Sequence, residues 1–472
     1  MVAVPFPSLS SPGKFAESGG RLINAYLEKL DDGRIARRRV PGLKTFGTAL
    51  ANAGCRGFLF VSNQLVVAMK DRLYSVQISG TTVTSTDLGV LGGMGTVFFA
   101  RNNKLPTPDI VAVTEGTAYV ISLSTGASAY PDVDVGSPNS VISQGGYFIF
   151  TYGDGRMRHT ALNDTAINTL DSAFAESRPD GLLRVVNYRG DILAMGTTSI
   201  EIWRNTANAT GFVYSYTDTI EVGLATANAV SGNEPGFSDY GPRWLGDDGV
   251  VYTLDGYQKR RISTHAIERE IAAVVDKTKF EALSYIHNGH PCWALSCDEW
   301  TWEHDITTGV WYERQSHQEA RWRVRATCRA FNRWIAGDAI TGQLYEIDAL
   351  TKTEGASPLV ATIISATMSP FPTRARWKQL DLDIMAGVGL ATGADPIATA
   401  PRVAVSWSLD GGVSFGNSLQ REIGRQGQYT EEVKISNLGI VSNRGAQTRI
   451  DISDPVDFTL FGGDAAFERL AS

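Results

Sequence analysis

The amino-acid sequence predicts an all-β protein. It reads as a β-propeller of six or seven blades, seven preferred, preceded by an irregular N-terminal arm and followed by a C-terminal β-sandwich. Three observations carry this. A strand–turn–strand unit recurs at a period of roughly 40 to 45 residues, the spacing of propeller blades. Beyond residue 358 apolar and polar residues alternate strictly, as in sheets with one solvated face. Helical periodicity is almost absent, with "HAIEREIAAVVD" (residues 265–276) the best helical stretch.

Each blade is marked by its second turn and third strand. The segments read "DRLYSV", "GTAYVI", "GRMRHT", "TSIEIW", "GYQKRR", "EWTWEH" and "GQLYEI". Aligned on the fourth letter, they place Tyr74, Tyr119, Arg158, Glu201, Lys259, Trp302 and Tyr345 in register, spaced 45, 39, 43, 58, 43 and 43 residues apart. The longest spacing predicts an insertion within residues 205–236. A small sheet with two apolar faces cannot bury both alone, so neighbouring blades stack around an axis. Turn residues such as Ser62-Asn63, Lys70-Asp71 and Arg189-Gly190-Asp191 separate the strands.

The boundaries follow from changes in pattern: an arm or clasp over residues 1–54, a propeller over 55–350 and a sandwich over 351–472. In "QLDLDI", Leu380, Leu382 and Ile384 fall on one face and Asp381 and Asp383 on the other; "RVAVSW" places Val403, Val405 and Trp407 together. The glycine-rich residues 386–401 read as a surface loop. The arm carries a Pro41-Gly42 turn and is expected to pack on the first or last blade, or on a neighbouring subunit.

The chain has 472 residues, a formal charge of −7, 43% hydrophobic and 20% charged residues, and 48 glycines. The acidic balance argues against a surface that grips phosphates, while leaving room for a channel wall that DNA slides past. No apolar run is long enough for a transmembrane helix, and the start lacks a signal-peptide pattern. Four scattered cysteines make no disulfide framework, which fits assembly in a reducing cytoplasm.

Candidate chemistry is sparse. "HNGHPCWALSCDEWTWEH" gathers His287, His290, Cys292, Cys297 and His304, but its spacings match no usual zinc arrangement and read as packing. The Gly-x-Ser-x-Gly pattern at Gly412 to Gly416 leads into no helical stretch and so reads as no nucleophile elbow, there is no phosphate loop, and no three arginines are singled out for a sialidase triad. No catalytic residue, cofactor or metal is expected. "SWSLDGGVSF" contains an Asp-box, Asp410-Gly411-Gly412, between Trp407 and Phe415; it reads as a tight turn between two strands. The dense basic run "RIARRRVPG" (residues 34–42) and the alternating "RWRVRATCRAFNRW" (residues 321–334) are the candidate DNA-channel or interface contacts. They supply Arg37, Arg38, Arg39, Arg321, Arg323 and Arg325.

"ESRPDGLLRVVNYRGDILAMGTTSIEIW" (residues 176–203) resembles the central motif of the tail hub, or nozzle, proteins of short-tailed bacteriophages. These are also called packaged-DNA stabilisation or head-completion proteins. The matching positions are Ser177, Pro179, Asp180, Gly181, Gly196, Ser199, Ile200, Glu201 and Trp203. "RLINAYLE" with "RRVPGLKTFG", which includes Pro41 and Gly42, is similar to the family's N-terminal segment. "SWSLDGGVSF", "GRQGQY" and "ISDPV" are similar to its C-terminal module. The resemblance implies a structural virion protein of the tail, assembled in the host cytoplasm. It would form a homo-oligomer, a hexamer, below portal and adaptor proteins. It would close the DNA channel with transient, non-specific contact to packaged duplex DNA, and carry needle, fibre or spike proteins. The alternative is a carbohydrate-active or carbohydrate-binding propeller with an Asp-box, a glycosidase or adhesin. That reading wants one box per blade, and the single box lies outside the repeats.

Overall fold

Five four-stranded antiparallel sheets follow one another along the chain. The computed structural model describes residues 1–11, 19–51, 53–175, 178, 180–208, 210–370 and 373–470. Blade 1 runs from Cys55–Val61 to Thr82–Val90, blade 2 from Phe98–Arg101 to Gly126–Ala129, and blade 3 from Ser140–Gln144 to Ile167–Phe174. Blade 4 runs from Leu182–Tyr188 to Tyr214–Ile220, and blade 5 from Val230–Ser231 to Gln258–Arg261. Blade 6 starts at Glu281–His287 and ends at Val310–Glu313; blade 7 opens with Val324–Ala330. Seven blades are therefore present.

The repeat period locates third strands in six blades. In the fifth, "GYQKRR" falls on the outer strand Gln258–Arg261, because the third strand is Val251–Asp255. Part of the 58-residue spacing is this change of strand; the rest includes the long segment between Val230–Ser231 and Arg243–Leu245, most of it beyond the residues 205–236 where the insertion is expected. The inner hairpins turn tightly. Ser62 and Asn63 have φ of 48° and 57°, as a two-residue loop with two left-handed positions requires. Among the described residues the one α-helix, His265–Ala273, is capped by Thr264 and buries Ile267 and Ile271.

Blade 7 is closed by the other end of the chain. Its own strands Val324–Ala330, Arg333–Asp338 and Leu344–Asp348 are completed by Gly42–Thr45, with Ile347 opposite Leu43. Gly42 opens this strand instead of making the expected turn. A Cβ there would meet the Thr351 and Thr353 carbonyl oxygens at 2.4 and 2.5 Å, so close backbone approach, not a left-handed φ, requires glycine.

The segment expected to be an irregular arm holds five short strands among its described residues. Ala25–Lys29 and Ile35–Arg39 form a hairpin in one sheet of the sandwich, beside Thr459–Arg469, Ala375–Ile384 and Val433–Val441; Val2–Ala3 pairs with Thr459–Arg469. Arg21–Ile23 lies parallel to Val310–Glu313 of blade 6 and antiparallel to Ala361–Ile364. It splices blade 6 to the second sandwich sheet, which continues through Gln447–Ile452, Arg402–Ser408 and Leu419–Glu422. Between the two sheets lie Trp377, Leu380, Val403, Val405, Ile435, Ile450 and Leu460, all at most 1% exposed. All four cysteines are free thiols. No helix among the described residues is long and apolar enough to cross a membrane.

Candidate functional site

The first strand of every blade contributes to one cavity of about 620 Å³. Five arginines line it (Arg56, Arg101, Arg184, Arg325 and Arg329) against two carboxylates, Glu234 and Glu281. Most of this charge joins blades. Arg56 of blade 1 donates to the Gly92 and Gly95 carbonyls at 3.1 and 2.6 Å and to Thr114 Oγ1 of blade 2 at 2.8 Å. Arg184 of blade 4 donates to the Ala227 and Val230 carbonyls. Arg325 and Arg321 share the Glu281 carboxylate at 2.8 and 3.3 Å, tying blade 7 to blade 6. Arg323 pairs with Asp338 at 2.7 Å and lies over the Tyr345 ring.

Of the six candidate DNA-channel or interface contacts, Arg37 and Arg39 are buried, which corrects their expected exposure; the other four are partly exposed. Arg321, Arg323 and Arg325 are held in ion pairs inside the propeller. Arg37 is buried and donates to the Phe6 and Pro7 carbonyls at 2.9 and 3.0 Å. Arg39 is buried and donates to the Asp454, Val456 and Leu359 carbonyls. Burial pulls both guanidiniums down to about 10. Arg38 of that run is half-exposed and paired with Glu28 at 2.5 Å, and Arg34 at its start is exposed and paired with Asp32. A run with four arginines looks solvated in sequence; here the fold turns two of the guanidiniums onto backbone carbonyls.

The central motif ties the segment entering blade 4 to the turn between that blade's second and third strands. One Asp180 oxygen accepts from the Thr198 and Ser199 amides at 2.7 and 3.0 Å, and from the Thr198 hydroxyl at 3.0 Å. A Cβ on Gly196 would sit 2.6 Å from that oxygen, and one on Gly181 would sit 2.6 Å from the Gly153 carbonyl oxygen. Ile200 is fully buried, and Glu201, also buried, accepts from the Trp203 indole at 2.8 Å. Ser177 and Pro179 lie outside the described residues. These contacts hold the backbone and present no reactive group.

The Asp-box is not a tight hairpin. Val405 pairs with Leu419, so the residues between strands Arg402–Ser408 and Leu419–Glu422 form a wide loop. Asp410 organises it, accepting from the Ser408 and Ser414 hydroxyls, both at 2.6 Å, and from the Ser414 amide at 3.0 Å. These bonds hold its carboxyl down to about 2. Gly411 and Gly412 have φ of 78° and 93°. Trp407 is half-buried against the sandwich core and donates to the Leu438 carbonyl.

Sequence spacing set aside the histidine and cysteine group of blade 6, yet three strands bring part of it together. His287, Cys292 and Glu303 are all buried, with candidate ligand atoms within 4.8 Å of one another. Burial pushes His287 down to about 3 and the Cys292 thiol up. His290 is separately engaged, 2.8 Å from Asp305. Cys297 and His304 are not part of the cluster. Pairing across a sheet, not linear spacing, makes the set, which is why no motif announced it.

These features define a β-propeller closed by its N-terminal strand. The family described as "Bacteriophage P22 Gp10, beta-propeller" matches residues 27–352, and the chain belongs to that family of phage stabilisation proteins. The match begins in the N-terminal hairpin and ends with blade 7. No curated protein matches the chain. Among solved structures, the WD40 β-propeller domain of Doa1 is similar at 11% identity, covering 65% of this chain and 96% of that one, with a TM-score of 0.43. The computationally designed Ika8 protein is similar at 13% identity, covering 65% and 99%, with a TM-score of 0.39.

Proposed function

We propose that this protein is a non-enzymatic component of the tail of a short-tailed phage. It assembles as a homo-oligomeric ring, a hexamer, below portal and adaptor proteins. The ring extends and closes the DNA channel, retains packaged DNA and carries needle, fibre or spike proteins. Assembly takes place in the host cytoplasm. The observation that carries this reading is the family match over most of the chain.

Two features support it. The chain is acidic, and Arg37, Arg39, Arg323 and Arg325 of its basic runs are held by carbonyls or carboxylates, which suits a wall along which DNA slides with transient, non-specific contact. The outer strand of blade 3 exposes Leu170 at 79% and Phe174 at 46%, apolar surface of the kind that neighbouring subunits cover. The carbohydrate alternative gains no support, because the single Asp-box sits in the sandwich. Native mass spectrometry and electron microscopy of the protein, alone and with phage head components, test the proposal. Rings that dock on portal and adaptor are expected, and Leu170→Lys should weaken them. A monomer that never joins head components would overturn it.

A further inference from the structure

We propose that His287, Cys292 and Glu303 form a structural zinc site that pins together three strands of blade 6 beside blade 7. The three residues sit on successive strands, Glu281–His287, His290–Ser296 and Thr301–Asp305. Three atoms within 4.8 Å of one another fit inside a sphere of radius no more than about 2.8 Å, against zinc–ligand bonds of about 2.0–2.3 Å. Each donor therefore needs to move by roughly half an ångström. A nitrogen, a sulfur and an oxygen donor together suit a borderline-soft dication such as zinc better than magnesium or calcium.

The independent observation is His287 itself. It is 5% exposed, and neither ring nitrogen has a hydrogen-bond partner. A buried imidazole with two unsatisfied nitrogens is costly, and a metal bond at one of them relieves part of that cost. The surroundings orient the set. The Tyr26 ring packs edge-on against His287 at 5.0 Å, and Tyr285 stacks on it at 5.8 Å. Tyr285 donates to both Glu303 oxygens at 2.8 and 2.9 Å. Tyr312 also donates to Glu303 and lies 3.5 Å from Cys292 Sγ. A carboxylate has about four lone-pair sites, so these bonds leave Glu303 room for a metal. Outer partners of this kind are what fix ligands in metal sites.

Charge points the same way. Glu303 and Glu354, at 0% and 1% exposure, face one buried guanidinium, Arg314. A dication bound by the Cys292 thiolate, with the thiol proton released to solvent, brings this set to neutrality. The location gives the site a purpose. Cys292 and Tyr285 belong to the apolar cluster shared with Trp322, Val324, Trp334 and Tyr345 of blade 7 and with Leu43 of the closing strand.

The test uses the full chain, expressed with zinc in the medium. Elemental analysis is expected to find one zinc per chain, released only on unfolding. Protein refolded with chelator should melt at lower temperature, and added Zn²⁺ should restore the melting point. Refolding with Co²⁺ should produce a thiolate-to-cobalt charge-transfer band that Cys292→Ser abolishes and Cys297→Ser keeps. Tyr312→Phe should weaken zinc binding about 10–100-fold. Zinc-free protein whose melting ignores Zn²⁺ would overturn the proposal, as would a cobalt band retained in Cys292→Ser. If that variant fails to fold, the refolding of wild-type chain with and without Zn²⁺ decides alone.

Discussion

Blades 1 to 5 and blades 6 and 7 are built from the same unit but finished differently. The first five are self-contained sheets of four strands. The last two are each extended by the N-terminal segment: Gly42–Thr45 completes blade 7, and Arg21–Ile23 carries blade 6 into the sandwich. Their interiors differ as well. The interface of blades 2 and 3 is apolar, around Val111, Val113, Phe148 and Phe150. Blades 6 and 7 bury Glu303, Arg314, Glu354, His287 and Asp305. A ring has one seam, and here the seam is where non-local strands and buried charges accumulate. Polar networks specify one arrangement more sharply than interchangeable apolar faces do.

The seam can be broken deliberately. Removing residues 1–46 should have the largest effect, leaving blade 7 without its outer strand and the sandwich without a hairpin; loss of cooperative urea unfolding is the expected readout. Arg314→Ala should come next. The guanidinium is fully buried, 3.8 Å from Glu303 and stacked 4.2 Å over Trp322. Stranding two buried carboxylates should cost about 3–5 kcal/mol, measured as a fall in urea midpoint with unchanged slope. In a self-contained blade, Asp180→Ala should cost less, about 1–3 kcal/mol, by releasing the Thr198 and Ser199 amides. If it matched Arg314→Ala, the contrast between seam and ordinary blades would fail.

The smallest effect lies outside the ring. Asp410 is held down to about 2, against about 3.9 in an unfolded chain. Its folded-state value is depressed, so its contribution is complete above about pH 4 and fades as pH falls towards 2. Melting curves from pH 5 to pH 2 should show a sandwich-specific acid loss that Asp410→Asn removes.

The blades were legible because each carries its own local period and its own turns, readable in a window of about 45 residues. The alternating sandwich strands were legible for the same reason: Leu380, Leu382 and Ile384 are buried on one face. The seam was not. "GLKT" is four residues with two exposed, too short and too polar to read as a strand without its distant partner. Arg37 and Arg39 looked solvated because nothing local says that carbonyls of Phe6, Leu359 or Val456 will surround them. The His287, Cys292 and Glu303 cluster depends on register across three strands, which linear spacing does not encode. The recognised motif around Asp180 was visible, but its meaning as a tie within blade 4 came only from its bonds.

The closing strand also sets a timetable. Gly42–Thr45 leaves the ribosome about 300 residues before its partner Leu344–Asp348. At translation rates of about 5–20 residues per second, it waits ~15–60 s as an unpaired edge. Over that interval Arg37, Arg38 and Arg39 stand beside the waiting edge, and like charges at a strand edge discourage pairing with the wrong chain.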